Sequence, residues 1–213
     1  MFSRYFLENL PYIPYLSSTI KIFLSFNKVI LCSGHLTDKA DRQKPRFPEK
    51  KVSLVQEQIA HQLDKLEVGN NDLAICGGAR GSDILFAELC ADKGAHVWLI
   101  ISLNEEEFLQ QSVRQPGTNW EQRFYELRKK PEVQTFWMSD LEPNQSKDIS
   151  PFAAANIKMI QMGIAETSSP GNLYAILIWD QQPVGDGPGG TADFAARVKE
   201  AGGQVAIINP LEL

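Results

Sequence analysis

The chain has little of what several function classes require. Its 213 residues include only three cysteines, Cys32, Cys76 and Cys90, an odd number with no CxxC or CxxH spacing. That excludes a disulfide framework and a thiolate metal centre, and all three read as reduced core residues of a cytoplasmic protein. Its three histidines show no metal-ligand spacing, so no metal or other cofactor is expected. There is no Gly-x-Ser-x-Gly elbow, no Gly-Lys-Ser/Thr of a Walker A loop and no GxGxxG turn, which removes the usual serine hydrolases, P-loop NTPases and dinucleotide enzymes. Positive charge is short as well. Twenty-one Lys+Arg against 26 Asp+Glu leave a net charge of -5, the wrong sign for coating a phosphate backbone, so no stable nucleic-acid partner is expected.

Long hydrophobic runs are also missing. The first 27 residues are rich in Phe, Tyr, Leu and Ile, but Glu8 and Lys21 bracket their longest uncharged stretch, which contains Pro11 and Pro14. Such a stretch is too short and too broken to span about 30 Å of hydrocarbon, and no small-residue cleavage site follows it. The expectation is an apolar extension at residues 1–27 packed on a main domain at 28–213, with no membrane span. The same segment leaves a homodimer open as the oligomeric state.

What is present is alternation. Apolar, β-branched runs at 28–33, 72–76, 96–102, 133–138, 173–179 and 204–208 are separated by stretches of helical periodicity at 52–66, 83–93, 104–113, 120–129, 151–166 and 191–200. In the first helix Val55, Ile59, Leu63 and Leu66 form one stripe, and Trp120, Phe124 and Leu127 share a face further on. Gly94 reads as the residue that stops the second helix. This pattern predicts an α/β fold, a Rossmann-like doubly wound and mostly parallel sheet flanked by helices.

In such a sheet ligands bind outside the carboxyl ends of the strands, where turns into helices expose backbone N–H groups. Three turns are candidates. Gly77-Gly78-Ala79-Arg80-Gly81-Ser82-Asp83 runs from a strand into a helix; its glycines let an anion approach the main chain, Arg80 offers a forked contact to phosphate, and Ser82 or Asp83 can cap the helix. The glycine-rich loop that contains Gly187, Gly189 and Gly190 ends at Thr191, a second candidate cap above a second phosphate cradle. Asp180, where that loop begins, is placed to accept from a ribose hydroxyl. The third turn is Ser33-Gly34-His35, followed by Asp38, Arg42 and Arg46, a set that can orient a sugar or base or assist proton transfer. Asn156 is expected to face the same crevice.

Together, Ser33-Gly34-His35, Gly77-Gly78-Ala79-Arg80-Gly81-Ser82-Asp83 and Gly187-Pro188-Gly189-Gly190-Thr191 resemble the SLOG superfamily, the SMF/DprA and LOG group, over roughly residues 28–210. The middle motif resembles the Gly-x-Ala-Arg-Gly-Ile-Asp turn of DprA-like proteins, and the last the Pro-Gly-Gly loop of LOG-type phosphoribohydrolases. The resemblance implies a Rossmann-like domain that binds a nucleotide-type small molecule across the two glycine loops, some members cleaving an N-glycosidic bond and others sensing nucleotide signals. The LOG-like loop usually places a glutamate three residues beyond its threonine, and here that position is Phe194. Asp193 sits one residue early, a rotation of about 100° on a helix. Cleavage would need a carboxylate near the anomeric carbon, and Asp193, Asp180 and Asp38 are the candidates. Nucleotide binding or sensing is therefore the leading expectation, a nucleoside 5′-monophosphate N-glycosidase the alternative, and DprA-like single-strand DNA binding the third.

Overall fold

Short aliphatic runs become strands that all point the same way. The computed structural model describes residues 26–142, 148–182 and 190–213; residues 1–25 of the expected extension lie outside them. The strands are β1 (Val29–Gly34), β2 (Leu73–Cys76), β3 (His96–Ile101), β4 (Val133–Trp137), β5 (Leu173–Ile178) and β6 (Gln204–Ile208), paired in the order β4-β3-β2-β1-β5-β6. Every pairing is parallel, so the described sheet is wholly rather than mostly parallel.

The helices are α1 (Val52–Lys65), α2 (Ser82–Asp92), α3 (Glu105–Phe108), α4 (Trp120–Arg128), α5 (Met138–Leu141), α6 (Pro151–Glu166) and α7 (Thr191–Glu200). Parallel crossovers are right-handed, so the steps from β1 out to β4 place α1, α2 and α4 on one face, and the return to β5 and on to β6 places α6 and α7 on the other. Strand periodicity divides the core accordingly. Ile30, Cys32, Ala74, Cys76, Leu99 and Ile101 pack under the first face, while Val29, Leu31, Leu73, Ile75 and Ile100 pack under the second.

Helix stripes form as the spacing predicts. Val55, Ile59 and Leu63 of α1 are buried, as are Trp120, Phe124 and Leu127 of α4. Pro151 opens α6, where its missing N–H is harmless, and the Ser150 side chain caps it by accepting from the Ala153 N–H at 3.1 Å. The three cysteines are buried and free, and burial pushes their thiols well above the ordinary value. Among the described residues no helix is long and apolar enough to cross a membrane.

Two stretches differ from the sequence expectation. Residues 104–113 form not one helix but α3, capped by Asn104, continued by a π-helical turn at Leu109–Val113. The strand expected at 133–138 ends at Trp137, because Met138 starts the short α5.

One feature of the sheet positions the site. β2 has only four residues and makes its last pairing with β3 at Cys76↔Leu99, whereas β3 runs on beside β4 to Ile101 and β1 runs on beside β5 to Gly34. The carboxyl edge of the sheet is therefore notched at β2, next to the β1/β5 switch point where strand order reverses.

Candidate functional site

The floor of the notch is the end of β1. A Cβ at Gly34 would lie 2.5 Å from the Ile178 carbonyl oxygen, so only glycine lets β1 follow β5 to its end. The next residue, His35, donates its backbone N–H to that same oxygen at 2.9 Å. Its imidazole Nε2 lies 2.9 Å from Asp180 Oδ1 and 3.3 Å from the Asp180 backbone N, with both side chains buried. A carboxylate only accepts, so the shorter contact assigns the hydrogen to Nε2. Arg46 Nε donates to the other carboxylate oxygen at 3.3 Å. Burial alone would raise the Asp180 carboxyl, but the His35 hydrogen bond, the Gln182 N–H and the Arg46 charge outweigh it and hold it below its ordinary value.

The turn after β2 lies directly on the turn after β1. Gly81 has φ +81°, and a Cβ there would meet the Thr37 backbone N at 2.9 Å and the His35 carbonyl oxygen at 3.1 Å. The Ser82 hydroxyl donates to that carbonyl. Ser82 and Asp83 therefore do not cap α2 from outside: Gly81 occupies the N-cap, and Asp83, inside the first turn, reaches back to accept from the Ala79 N–H at 3.1 Å. Burial raises the Asp83 carboxyl to about 7 against the lowering pull of the Ala79 and Gly77 N–H groups.

Arg80 is the unusual member of this turn. It is 2% exposed and anchored by its backbone N–H to the Ser112 carbonyl at 2.9 Å, yet Nε and Nη1 of its guanidinium have no hydrogen-bond partner among the described residues. Burial lowers its pKa, with Glu49 partly opposing. A buried guanidinium with two donors unpaired is unfavourable by kilocalories, and an anionic group would satisfy them.

The loop after His35 is held by its own carboxylate. Asp38 Oδ2 accepts from the Arg46 and Phe47 N–H groups at 2.9 and 3.0 Å, and Oδ1 lies 3.2 Å from Arg42 Nε. The side chains of Thr37 and Gln115 pair at 3.0 Å and join this loop to the segment after the π turn.

These elements enclose a cavity of about 940 Å³. Of the residues expected at the site, Ser33, Gly34, His35, Asp38 and Arg42 line it from the β1 side, and Gly77, Ala79, Arg80 and Asp83 from the β2 side. Asn156 of α6 lines it too, with Gly190 and Thr191 at the start of α7. Here again the cap is the glycine: Gly190 is the N-cap and Thr191 the first helical residue, without a side-chain cap bond. Gly78, Gly81, Ser82 and Asp180 stand behind the wall and hold its residues in place. Asp193 points elsewhere, paired with Arg197 at 2.7 Å on α7. Gly187 and Gly189 lie outside the described residues.

Sequence reasoning missed Ser102, Ser112, Phe152 and Met159, which also line the cavity. For Ser102 a signal existed, a hydroxyl closing an otherwise apolar strand. Phe152 and Met159 read as ordinary helix residues until the topology brings α6 over the notch. The amino termini of α2, α6 and α7 all converge here, so the local field favours negative charge.

No family model matches this sequence, and no curated protein matches it. Among solved structures the chain is similar to the X-ray structure of TM1055, a structural-genomics target, with a TM-score of 0.41 and 13% identity over 84% of this chain and 72% of that one. It is also similar to DNA processing protein A (DprA) from Streptococcus pneumoniae, with a TM-score of 0.46 and 16% identity over 87% of this chain and 51% of that one. The chain thus spans about half of that protein's length.

Proposed function

We propose that the notch at the carboxyl end of β2 binds a small phosphate-bearing ligand of the nucleotide class. The observation that carries this reading is Arg80, buried on the cavity wall beside the amino terminus of α2 with two guanidinium nitrogens unpartnered among the described residues. The cavity volume, about 940 Å³, accommodates a nucleotide. His35, held by Asp180, lines the same space.

Binding is favoured over glycosidic cleavage by the state of the carboxylates. Asp180 is engaged by His35 and Arg46, Asp38 by two backbone N–H groups and Arg42, and Asp193 by Arg197. The remaining buried acid on the wall, Asp83, titrates near neutrality and is held in its own turn. Asp38 and Asp83 line the cavity, but each of these carboxylates is committed to partners of its own rather than left to activate water.

The test is a thermal-shift screen of nucleoside mono-, di- and cyclic phosphates, run beside an assay for released base. A nucleotide that raises Tm without being consumed supports binding. Sustained release of base that is abolished in Asp180→Asn or Asp193→Ala would convert the reading to a hydrolase, and the absence of any shift would remove it.

A further inference from the structure

We infer that the lobe of the cavity between β3 and α6 holds the base of the ligand, with Ser102 reading its edge and Phe152 covering its face. This rests on the reading of Arg80 as the phosphate site. β3 runs past the end of β2, and strand alternation puts Ser102 on the same sheet face as Ile100, beneath α6. On α6, Phe152, Asn156 and Met159 follow at helical spacing and line the same space.

The walls differ in kind. Ile100 and Met159 supply buried apolar surface, and Phe152 stands at the mouth with 41% of its surface exposed, an unusual place for a phenyl ring. Ser102 is 9% exposed, and its Oγ has no hydrogen-bond partner among the described residues. An aliphatic occupant would leave that hydroxyl unpaired, and a sugar, polar on both faces, would set its hydroxyls against the apolar surfaces of Ile100, Phe152 and Met159. A flat heteroaromatic ring satisfies both walls, giving its faces to Phe152 and Met159 and one donor or acceptor to Ser102.

The experiment is titration calorimetry of the full chain with ribose 5-phosphate and with each of the four common nucleoside 5′-monophosphates. At least one nucleotide should bind the wild type about tenfold or more tightly than ribose 5-phosphate. That gap should narrow by about threefold to tenfold in Ser102→Ala and by about tenfold in Phe152→Ala. Phe152 is exposed and Ser102→Ala only removes an unpaired hydroxyl, so both variants should keep the wild-type circular dichroism. The inference is overturned if no nucleotide outbinds ribose 5-phosphate, or if the gap is unchanged in both variants. Arg80→Met reports on the underlying reading separately: if ribose 5-phosphate still binds this variant, the phosphate is not at Arg80, while the gap continues to judge the lobe.

Discussion

Replacing Arg80 by methionine should move two quantities in opposite directions. Methionine keeps the unbranched apolar stem and the backbone N–H that bonds Ser112, but removes the guanidinium whose Nε and Nη1 lack partners among the described residues. Each of the two buried, unpaired donors costs about 1–3 kcal/mol, and the attraction to exposed Glu49 is small, so after about 1–3 kcal/mol is lost to the space the shorter side chain leaves, the ligand-free variant should gain about 1–3 kcal/mol. For a chain of this size that is a rise in Tm of about 2–4 °C for each kcal/mol. Ligand binding should fall the other way. Two charge-assisted hydrogen bonds to phosphate, at about 1.5–3 kcal/mol each, correspond to roughly two to four orders of magnitude in Kd. The assay is a pair of melts, with and without the tightest nucleotide at about 100 times its Kd. There the wild type should gain about 2.7 kcal/mol and Arg80→Met no more than about 0.4 kcal/mol. A variant that melts lower than the wild type without ligand yet keeps the full ligand shift would refute the reasoning, because Arg80 would then be a structural residue.

Asp83 makes the site sensitive to pH. Its folded-state pKa is raised from 3.8 to about 7, so between those values the folded protein holds a proton that the unfolded chain has released. Stability therefore falls as pH rises from about 4 to about 7 and levels above it. Asp83→Asn, which keeps an acceptor for the Ala79 N–H, should flatten this part of a Tm-against-pH curve and the fall in nucleotide affinity expected as a carboxylate ionises on the cavity wall; an unchanged curve refutes the assignment. Asp180→Ala should lower stability by about 3 kcal/mol, read by urea denaturation, since it strands His35 and Arg46 in a buried setting. A loss under about 1 kcal/mol would show that the β1 and β5 turns are held by other contacts. Gly81→Ala combines a positive φ with a 2.9 Å approach to Thr37 N and should lose about 2 kcal/mol, visible as a lower Tm, whereas a neutral result would show that the two turns are free to separate.

The sequence was legible where local physics decides. Six apolar runs became six strands, and the stripe of Val55, Ile59 and Leu63 faced the sheet, because burial of a periodic face is a local constraint. The glycine turns were legible as turns, and their roles less so. Gly34 reads as a ligand contact in the sequence, yet its first duty is to clear Ile178 on a strand 144 residues away, a demand that only the β1–β5 pairing creates. Ser82, Asp83 and Thr191 have the composition of helix caps, but each preceding glycine takes the cap, which frees the side chains for the neighbouring turn or the cavity wall. The β3–α6 lobe was invisible because its residues come from segments about fifty positions apart and meet only through the short length of β2.

The charge balance is resolved by the same geometry. Arg42 and Arg46 follow the first turn and look like free cations in the sequence, but Asp38 and Asp180 face them at 3.2 and 3.3 Å. They stiffen the loop that walls the cavity. Arg46 Nη2 is also unpartnered among the described residues, but Arg80 differs in being buried as a whole, in leaving two guanidinium nitrogens without an acceptor and in having no carboxylate ion pair there. A polyanion is held by many exposed cations and releases many counterions, whereas a single desolvated guanidinium at converging helix amino termini rewards one compact anionic group. On the proposed reading, a chain of net charge -5 needs one buried guanidinium for a compact phosphate rather than the many exposed cations that a phosphate backbone demands.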